Sequence, residues 1–207
     1  VIMVSADGRE LETVKANEQC EHIIVPMTRA ITPFRDLVSL YRLTRLFRKL
    51  KPAIVHSHTP KAGLLAMVAA RFAGVPIRIH TVAGLRFMTA RGLTRQVLVM
   101  MEKITGRAAT SVWPNSFSLL QYIRNNKLAV DRKLKVIGRG SSNGVDLKRY
   151  SVQALKTDKI NDVKSSIQYD EKLIYILSVG RIVKDKGIEE LVKVFIALHT
   201  KYPQLRL

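Results

Sequence analysis

A two-domain α/β fold built on parallel sheets is the architecture predicted by this sequence of 207 residues. Three observations predict it. Short apolar runs alternate with stretches of helical period along the chain. The runs are closed by turn and breaker residues. A charged stretch without an apolar run, over residues 150–171, separates one last strand–helix unit from the rest. Strands alternating with helices make βαβ units with right-handed crossovers.

The elements follow in order. Residues 1–4 are an apolar run ending at Asp7 and Gly8, and residues 22–25 are a second, closed by Pro26. Over 34–50 the period changes: Leu37, Leu40, Leu43, Phe47 and Leu50 recur at helical spacing, with Arg35, Arg42, Arg45, Arg48 and Lys49 on the other faces. That basic face could touch anionic lipid, although a solvated back on a sheet-covering helix is the plainer reading. Residues 53–56 are the next strand, and 61–73 a helix stopped by Gly74. Strands at 76–82 and 110–113 are followed by helices at 93–107 and 117–127. Residues 135–137 form a strand leading into a glycine-rich loop. A fresh strand over 173–180 and a helix over 188–199 open the second domain, and another strand begins near Leu207. The expected division is a first domain at 1–149, a linker or connecting helix at 150–172, and the start of a second domain at 173–207. The first lacks the central strand–helix unit with which such a domain normally starts, and the second is only begun.

Bulk properties narrow the function. A hydrophobic content of 47% and a charged content of 25% belong to a globular protein rather than a disordered one. The longest apolar stretches, 64–70 and 173–179, are closed by Arg71 and Arg181, too soon to span a membrane. The lone Cys20 excludes a disulfide framework and a cysteine-based zinc site, and fits a reducing, cytoplasmic compartment. A formal charge of +19 attracts anions such as nucleic acid, anionic lipid or phosphorylated substrates. The basic residues are spread along the chain, without zinc-finger spacing, an RNP-like aromatic motif or a basic tail, so no nucleic-acid partner is expected.

In a parallel sheet the ligand crevice lies beyond the carboxyl ends of the strands, and five constellations fall there. The run from Val55 to Gly63 brings His58, Thr59 and Lys61 to a helix N-terminus, with His56 read as a packed residue. The run from Arg78 to Arg86 brings His80 and Gly84 to the next strand end, where a histidine could bond a sugar hydroxyl or take its proton. Asn115 and Ser116 read most simply as helix-capping residues. The segment from Gly138 to Asp146 permits close backbone approach or a hinge, and it lacks the spacing of a P-loop. Finally, Gly180, Arg181, Lys184 and Lys186 lead into a helix near Gly187. Backbone donors, a guanidinium and ammonium groups at a helix N-terminus suit a diphosphate.

These residues carry a resemblance. The run Val55-His56-Ser57-His58-Thr59-Pro60-Lys61-Ala62-Gly63 resembles the acceptor-side domain of family 4 glycosyltransferases. Ser178-Val179-Gly180-Arg181, followed by Asp185-Lys186-Gly187, resembles the donor-side opening of the same family. Asn143-Gly144-Val145-Asp146 is similar to its interdomain signature, and Asn115-Ser116 to its NS pair. The longer loop at 138–146 resembles the subgroup that makes capsular polysaccharide, exopolysaccharide and lipid-linked glycans. The resemblance implies a GT-B fold, two Rossmann-like domains facing across a cleft. It implies retaining, metal-independent transfer, with no cofactor, of a hexose or N-acetylated hexosamine. The donor is a UDP-sugar and the acceptor a polysaccharide or polyprenyl-diphosphate-linked glycan. Gly180, Arg181 and Lys186 would hold the donor diphosphate. His58, Lys61, His80 and Gly84 would line the acceptor side, and Asn143, Gly144 and Asp146 would form the hinge. A cytoplasmic location follows, with peripheral contact at the inner face of the membrane left open.

Two departures qualify the resemblance. Ala83 precedes Gly84 where many members carry histidine, which makes His80 the candidate catalytic substitute. The family's E-x7-E element would lie past Leu207, so the chain is expected to be inactive alone. Competing readings are a nonenzymatic nucleotide-sugar or lipid-binding module of the same fold, another GT-B enzyme such as a sugar-phosphate synthase or UDP-sugar epimerase, and a basic nucleic-acid-binding protein.

Overall fold

The computed structural model describes every residue except 9, 10, 29, 142 and 143. The chain forms two compact units, Val1–Gly144 and Val145–Leu207.

The first unit is built from parallel pairs. Strand β1 (Ile2–Ser5) pairs with β2 (Glu21–Ile24), and β3 (Ile54–Ser57), β4 (Ile77–Val82) and β5 (Ser111–Pro114) form a three-stranded sheet in that order. Helix α1 (Leu11–Glu18) joins the first pair. Helices α2 (Pro33–Leu50), α3 (Pro60–Phe72) and α4 (Gly92–Ala108) pack side by side, and α5 (Phe117–Asn125) follows β5. Helix α2 starts where Pro33 supplies a pre-set first turn, carries Asp36 near its positive end, and closes at Lys51 in the left-handed conformation. Its buried stripe is Ser39, Leu43 and Phe47, each four residues from the last, facing α3. Helix α3 answers with small and flexible residues, Gly63, Leu65, Met67, Ala69 and Ala70, which let it sit close to the sheet. Phe87, Val112, Ile123 and Leu128 complete the core beneath α4 and α5.

Several cations serve this unit as helix caps. Lys133 donates to the carbonyls of Gly106, Arg107 and Ala109 at 3.1, 3.0 and 2.6 Å, and Arg78 Nε donates to Ala108 O at 2.7 Å. They satisfy the orphan carbonyls at the end of α4 and oppose its negative pole. Burial, then Arg132, Arg78 and Arg71, lower the pKa of Lys133.

The second unit holds β6 (Ile174–Tyr175) parallel to β7 (Leu205–Arg206), with α6 (Thr157–Ser166) before them and α7 (Ile188–Lys201) between. Among its described residues only Leu205 is buried. No described helix is long and apolar enough to cross a membrane.

Three elements depart from the sequence expectation. Helix α1 was not anticipated, because it buries no residue and its pattern is weak; a Lys15–Glu12 pair at 3.0 Å supports it instead. Residues 135–137 form no strand: one bridge joins Leu134 to Val112, and the chain then turns, with Gly140 N bonding Ile137 O. The strand expected at 173–180 is observed as Ile174–Tyr175, paired in parallel with Leu205–Arg206, with Ile176 N also bonding Arg206 O.

Candidate functional site

The carboxyl ends of β3, β4 and β5 bring four side chains together. Alternation along β3 sends Val55 and Ser57 inward and leaves His56 exposed. His56 Nε2 and Thr81 Oγ1 lie 2.8 Å apart, the His58 ring is 4.2 Å from the His56 ring, and Trp113 meets His56 edge-on at 5.3 Å. Burial, then His58, lower the pKa of His56, which favours the neutral ring, with one nitrogen donating and one accepting. Polar ring nitrogens beside an indole ring form a surface suited to a polyhydroxylated ligand. His56, expected as a packed residue, thus belongs to this surface with the exposed His58.

The glycine-rich loop docks on the same end of the sheet. Ser141 N donates to Asn115 O at 2.6 Å, and Asn115 Nδ2 reaches Ala83 O at 3.4 Å, beside the exposed Gly84. Gly140 has a φ of +88°, and a Cβ there would come within 2.7 Å of Asn115 O. Only glycine suits that position. Ser116 caps α5 by accepting from Leu119 N at 3.1 Å.

His80 and Lys61 sit one layer behind. His80 is 3% exposed, its Nδ1 lies 2.8 Å from Ser57 Oγ, and a Cβ at Gly63 would approach its Cε1 to 2.5 Å. The ring is therefore packed under α3 rather than open to the crevice. Burial first, then His58 and His56, lower its pKa to about 4. The ring borders a small cavity of about 10 Å³ shared with Glu102, Val112 and Ile123, room for a single water. Burial raises Glu102 to about 7. Sequence reasoning passed over Glu102; its one signal was a lone acid within the apolar stretch 97–104.

Lys61 Nζ lies 2.6 Å from Asp36 Oδ1 and donates to Thr28 Oγ1 at 2.9 Å, to Thr32 Oγ1 at 3.3 Å and to the Ala30 carbonyl. Asp36 in turn accepts from Thr32 N at 3.1 Å and Thr32 Oγ1 at 3.0 Å. Burial opposes the Asp36 charge, but these hydrogen bonds and the Lys61 cation hold its pKa below the usual value. The ammonium clips the segment before α2 to the first turn of α3, its donors spent within the protein. Asp36 lies 25 residues upstream of its partner, beyond any local pattern.

In the second unit, Gly180, Arg181 and Lys186 are exposed on the connection between β6 and α7. A helical turn at Lys184–Lys186 ends at Gly187, whose φ of +71° starts α7. Glu189 and Glu190 occupy the first turn of α7, with Lys184 3.9 Å from Glu189. Asn143 lies outside the described residues, while Gly144 and Asp146 flank the division between the units. Asp146 Oδ1 accepts from Lys148 N at 3.0 Å and Arg149 N at 3.2 Å, capping the turn that follows. Among the described residues no three His, Cys, Asp or Glu side chains converge as metal ligands.

Parallel α/β construction with polar residues at the strand ends, together with the superposition reported below, is that of a partial GT-B fold. Residues 2–140 match the glycosyl transferase 4-like domain, and the chain belongs to that family. It is 43% identical over 195 residues to the capsular polysaccharide biosynthesis glycosyltransferase CapM of Staphylococcus aureus, covering 94% of this chain and 49% of that protein. It is 33% identical over 163 residues to the Escherichia coli UDP-Gal:α-D-GlcNAc-diphosphoundecaprenol α-1,3-galactosyltransferase, covering 78% of this chain and 40% of that one. The chain thus spans about half the length of the curated relatives it matches. Anabaena Alr3699/HepE, solved with UDP and glucose, superposes with a TM-score of 0.73 at 15% identity, covering 99% of this chain and 51% of that one.

Proposed function

We propose that the protein carrying this chain transfers a hexose or N-acetylated hexosamine from a UDP-sugar to a polysaccharide or polyprenyl-diphosphate-linked acceptor, with retention of configuration and without a metal or cofactor. One observation carries the reading: the connection bearing Gly180, Arg181 and Lys186 leads into the N-terminus of α7, in a chain 43% identical to a capsular glycosyltransferase. Charge grows on the departing nucleotide diphosphate in the transition state, and fixed cations beside a helix N-terminus stabilise it without reorganising. Gly180 lets the backbone approach the phosphates. His58 and Gly84 meet the acceptor, His80 and Lys61 hold the loops behind them, and Asn143, Gly144 and Asp146 form the hinge between domains at 1–149 and 173–207.

Peripheral contact with an anionic membrane, at the cytoplasmic face, accompanies this reading. It is supported by α2, where Phe34, Leu37 and Tyr41 are exposed beside several arginines. The test is transfer by the intact protein from a UDP-sugar to a lipid-linked acceptor, with the product anomer read by NMR. An α-linked product from an α-linked donor, formed equally with EDTA present, is expected. An inverted product, or a requirement for a divalent ion, contradicts the proposal.

A further inference from the structure

The small cavity beside His80 is lined from β4, α4, β5 and α5. Among the described lining residues, His80 and Glu102 are the two whose side chains carry polar atoms, and the other side chains are aliphatic. The hydrogen-bond partners fix where the hydrogens sit. Ser57 Oγ is buried and lies 2.8 Å from His80 Nδ1, with no other partner among the described residues. A buried hydroxyl whose one neighbour is a ring nitrogen gives that nitrogen its hydrogen. Nδ1 is then the acceptor, and the neutral ring carries its own hydrogen on Nε2. Burial, then His58 and His56, keep the ring neutral down to about pH 4.

Nε2 has no protein partner among the described residues, and neither has the Glu102 carboxyl. One donor and one acceptor thus border a space of about 10 Å³, the size of a single water. A water that accepts from Nε2 and donates to the carboxylate satisfies both groups. Left unpaired, each would carry its full desolvation cost. The chain neighbours of this couple form the histidine surface. Ser57 precedes His58, and Thr81, which follows His80, lies 2.8 Å from His56 Nε2.

We propose that Glu102 is a positioning residue of the acceptor side: through one water in this cavity its carboxylate holds the His80 hydrogen on Nε2, leaving Nδ1 to fix the Ser57 hydroxyl beside His58. The inference rests on the transferase reading above. Burial raises Glu102 to about 7. Below that pH the carboxyl donates to the water, which then offers a hydrogen to Nε2 and favours the other tautomer. In that exchange one proton leaves Nε2 and one arrives on Nδ1, both traded with solvent, and the ring stays neutral. Ser57 resists the change, because its hydrogen would lose its acceptor, so the two tautomers become mixed. Other charges around the cavity are engaged elsewhere. Arg71, Arg78 and Lys133 bond carbonyls at the end of α4, Arg124 pairs with Asp131, and Arg95 lies over the Phe87 ring. Arg86 and Arg107 are exposed, and Lys103, next to Glu102, has no ion pair with it among the described residues.

The experiment reads the His80 ring-nitrogen shifts in 15N-labelled intact protein. In wild type the ratio of Nε2–H to Nδ1–H tautomer should fall roughly tenfold from about pH 8.5 to 5.5, the size of one charge-assisted hydrogen bond. Its midpoint should lie near 7. E102Q, which keeps the shape without the charge, should hold one ratio throughout, and D131N, a surface control, should behave as wild type. A constant ratio in wild type, the same change in E102Q, or a hydrogen on Nδ1 at the higher pH overturns the couple. Over the same range the acceptor KM of wild type should change about threefold more than that of E102Q. His56 and His58 are intact in both proteins, so their own contribution appears in both profiles. Equal KM profiles alongside a tautomer change overturn the positioning role. No transfer by wild type defeats the transferase reading, while the ring nitrogens still decide the couple.

Discussion

Replacing Glu102 with glutamine should tilt a pH–stability profile in which a half-buried acid and a buried histidine otherwise offset each other. Burial raises Glu102 from an ordinary 4.5 to about 7 in the folded chain, and burial with the neighbouring His58 and His56 lowers His80 from 6.5 to about 4. Between about pH 4.5 and 6.5 the folded state keeps one proton on this pair, on Glu102, and the unfolded chain keeps one, on His80. Stability follows the difference in bound protons, so the pair contributes no slope in that window. Glu102 has a raised folded value, so its contribution is full below 4.5 and lost as pH rises through about 7. His80 has a depressed folded value, so its contribution is full above 6.5 and lost as pH falls through about 4. In Glu102→Gln only His80 remains, and stability should climb by about 1.4 kcal/mol per pH across the window. Solvent still reaches part of the Glu102 side chain, which reduces its share to about 2 kcal/mol. The variant should therefore match wild type near pH 4.5 and exceed it by about 2 kcal/mol above pH 7. Urea unfolding followed by the fluorescence of Trp113, the single tryptophan, reads the first unit directly. Parallel profiles for the two proteins would refute the reasoning.

Other perturbations test the layer behind the site. Lys61→Met leaves Asp36 unpaired in a largely buried position and should cost about 2–4 kcal/mol in urea unfolding. Asp36, held low in the folded state, stabilises above its ordinary range and loses that contribution as pH falls, so the variant should also show a shallower acid limb. Gly63→Ala drives a methyl into the His80 ring and should destabilise by about 1–3 kcal/mol; a stability equal to wild type would show that the ring gives way. Lys133→Met uncovers the carbonyl end of α4 and should cost about 1–2 kcal/mol, with earlier amide exchange over residues 105–109.

The sheet and its covering helices were legible because their signals are local. Helix α2 announces itself by a stripe at helical spacing, and β3 to β5 by apolar runs stopped by Gly and Pro. Helix α1 was illegible because nothing in it is buried. Of the strand expected at 173–180, Ile174–Tyr175 is paired; an apolar run marks strand propensity, while the pairing itself is made by Leu205 and Arg206, far along the chain. At the site, His58 was legible from its place after a strand. His80 was placed at the crevice by the same argument, yet β4 faces it inward, between Ser57 and Gly63. Which face of a strand is covered is decided by long-range packing. Lys61 was expected to face a ligand, and only the fold shows that Asp36 and Thr28 claim it.

Titration of UDP into the intact protein and into R181Q/K186Q tests the central claim most directly. The account predicts binding by wild type and a loss of at least about tenfold in the variant, from removal of two charge-assisted contacts to the diphosphate. Equal affinity in both proteins would contradict it.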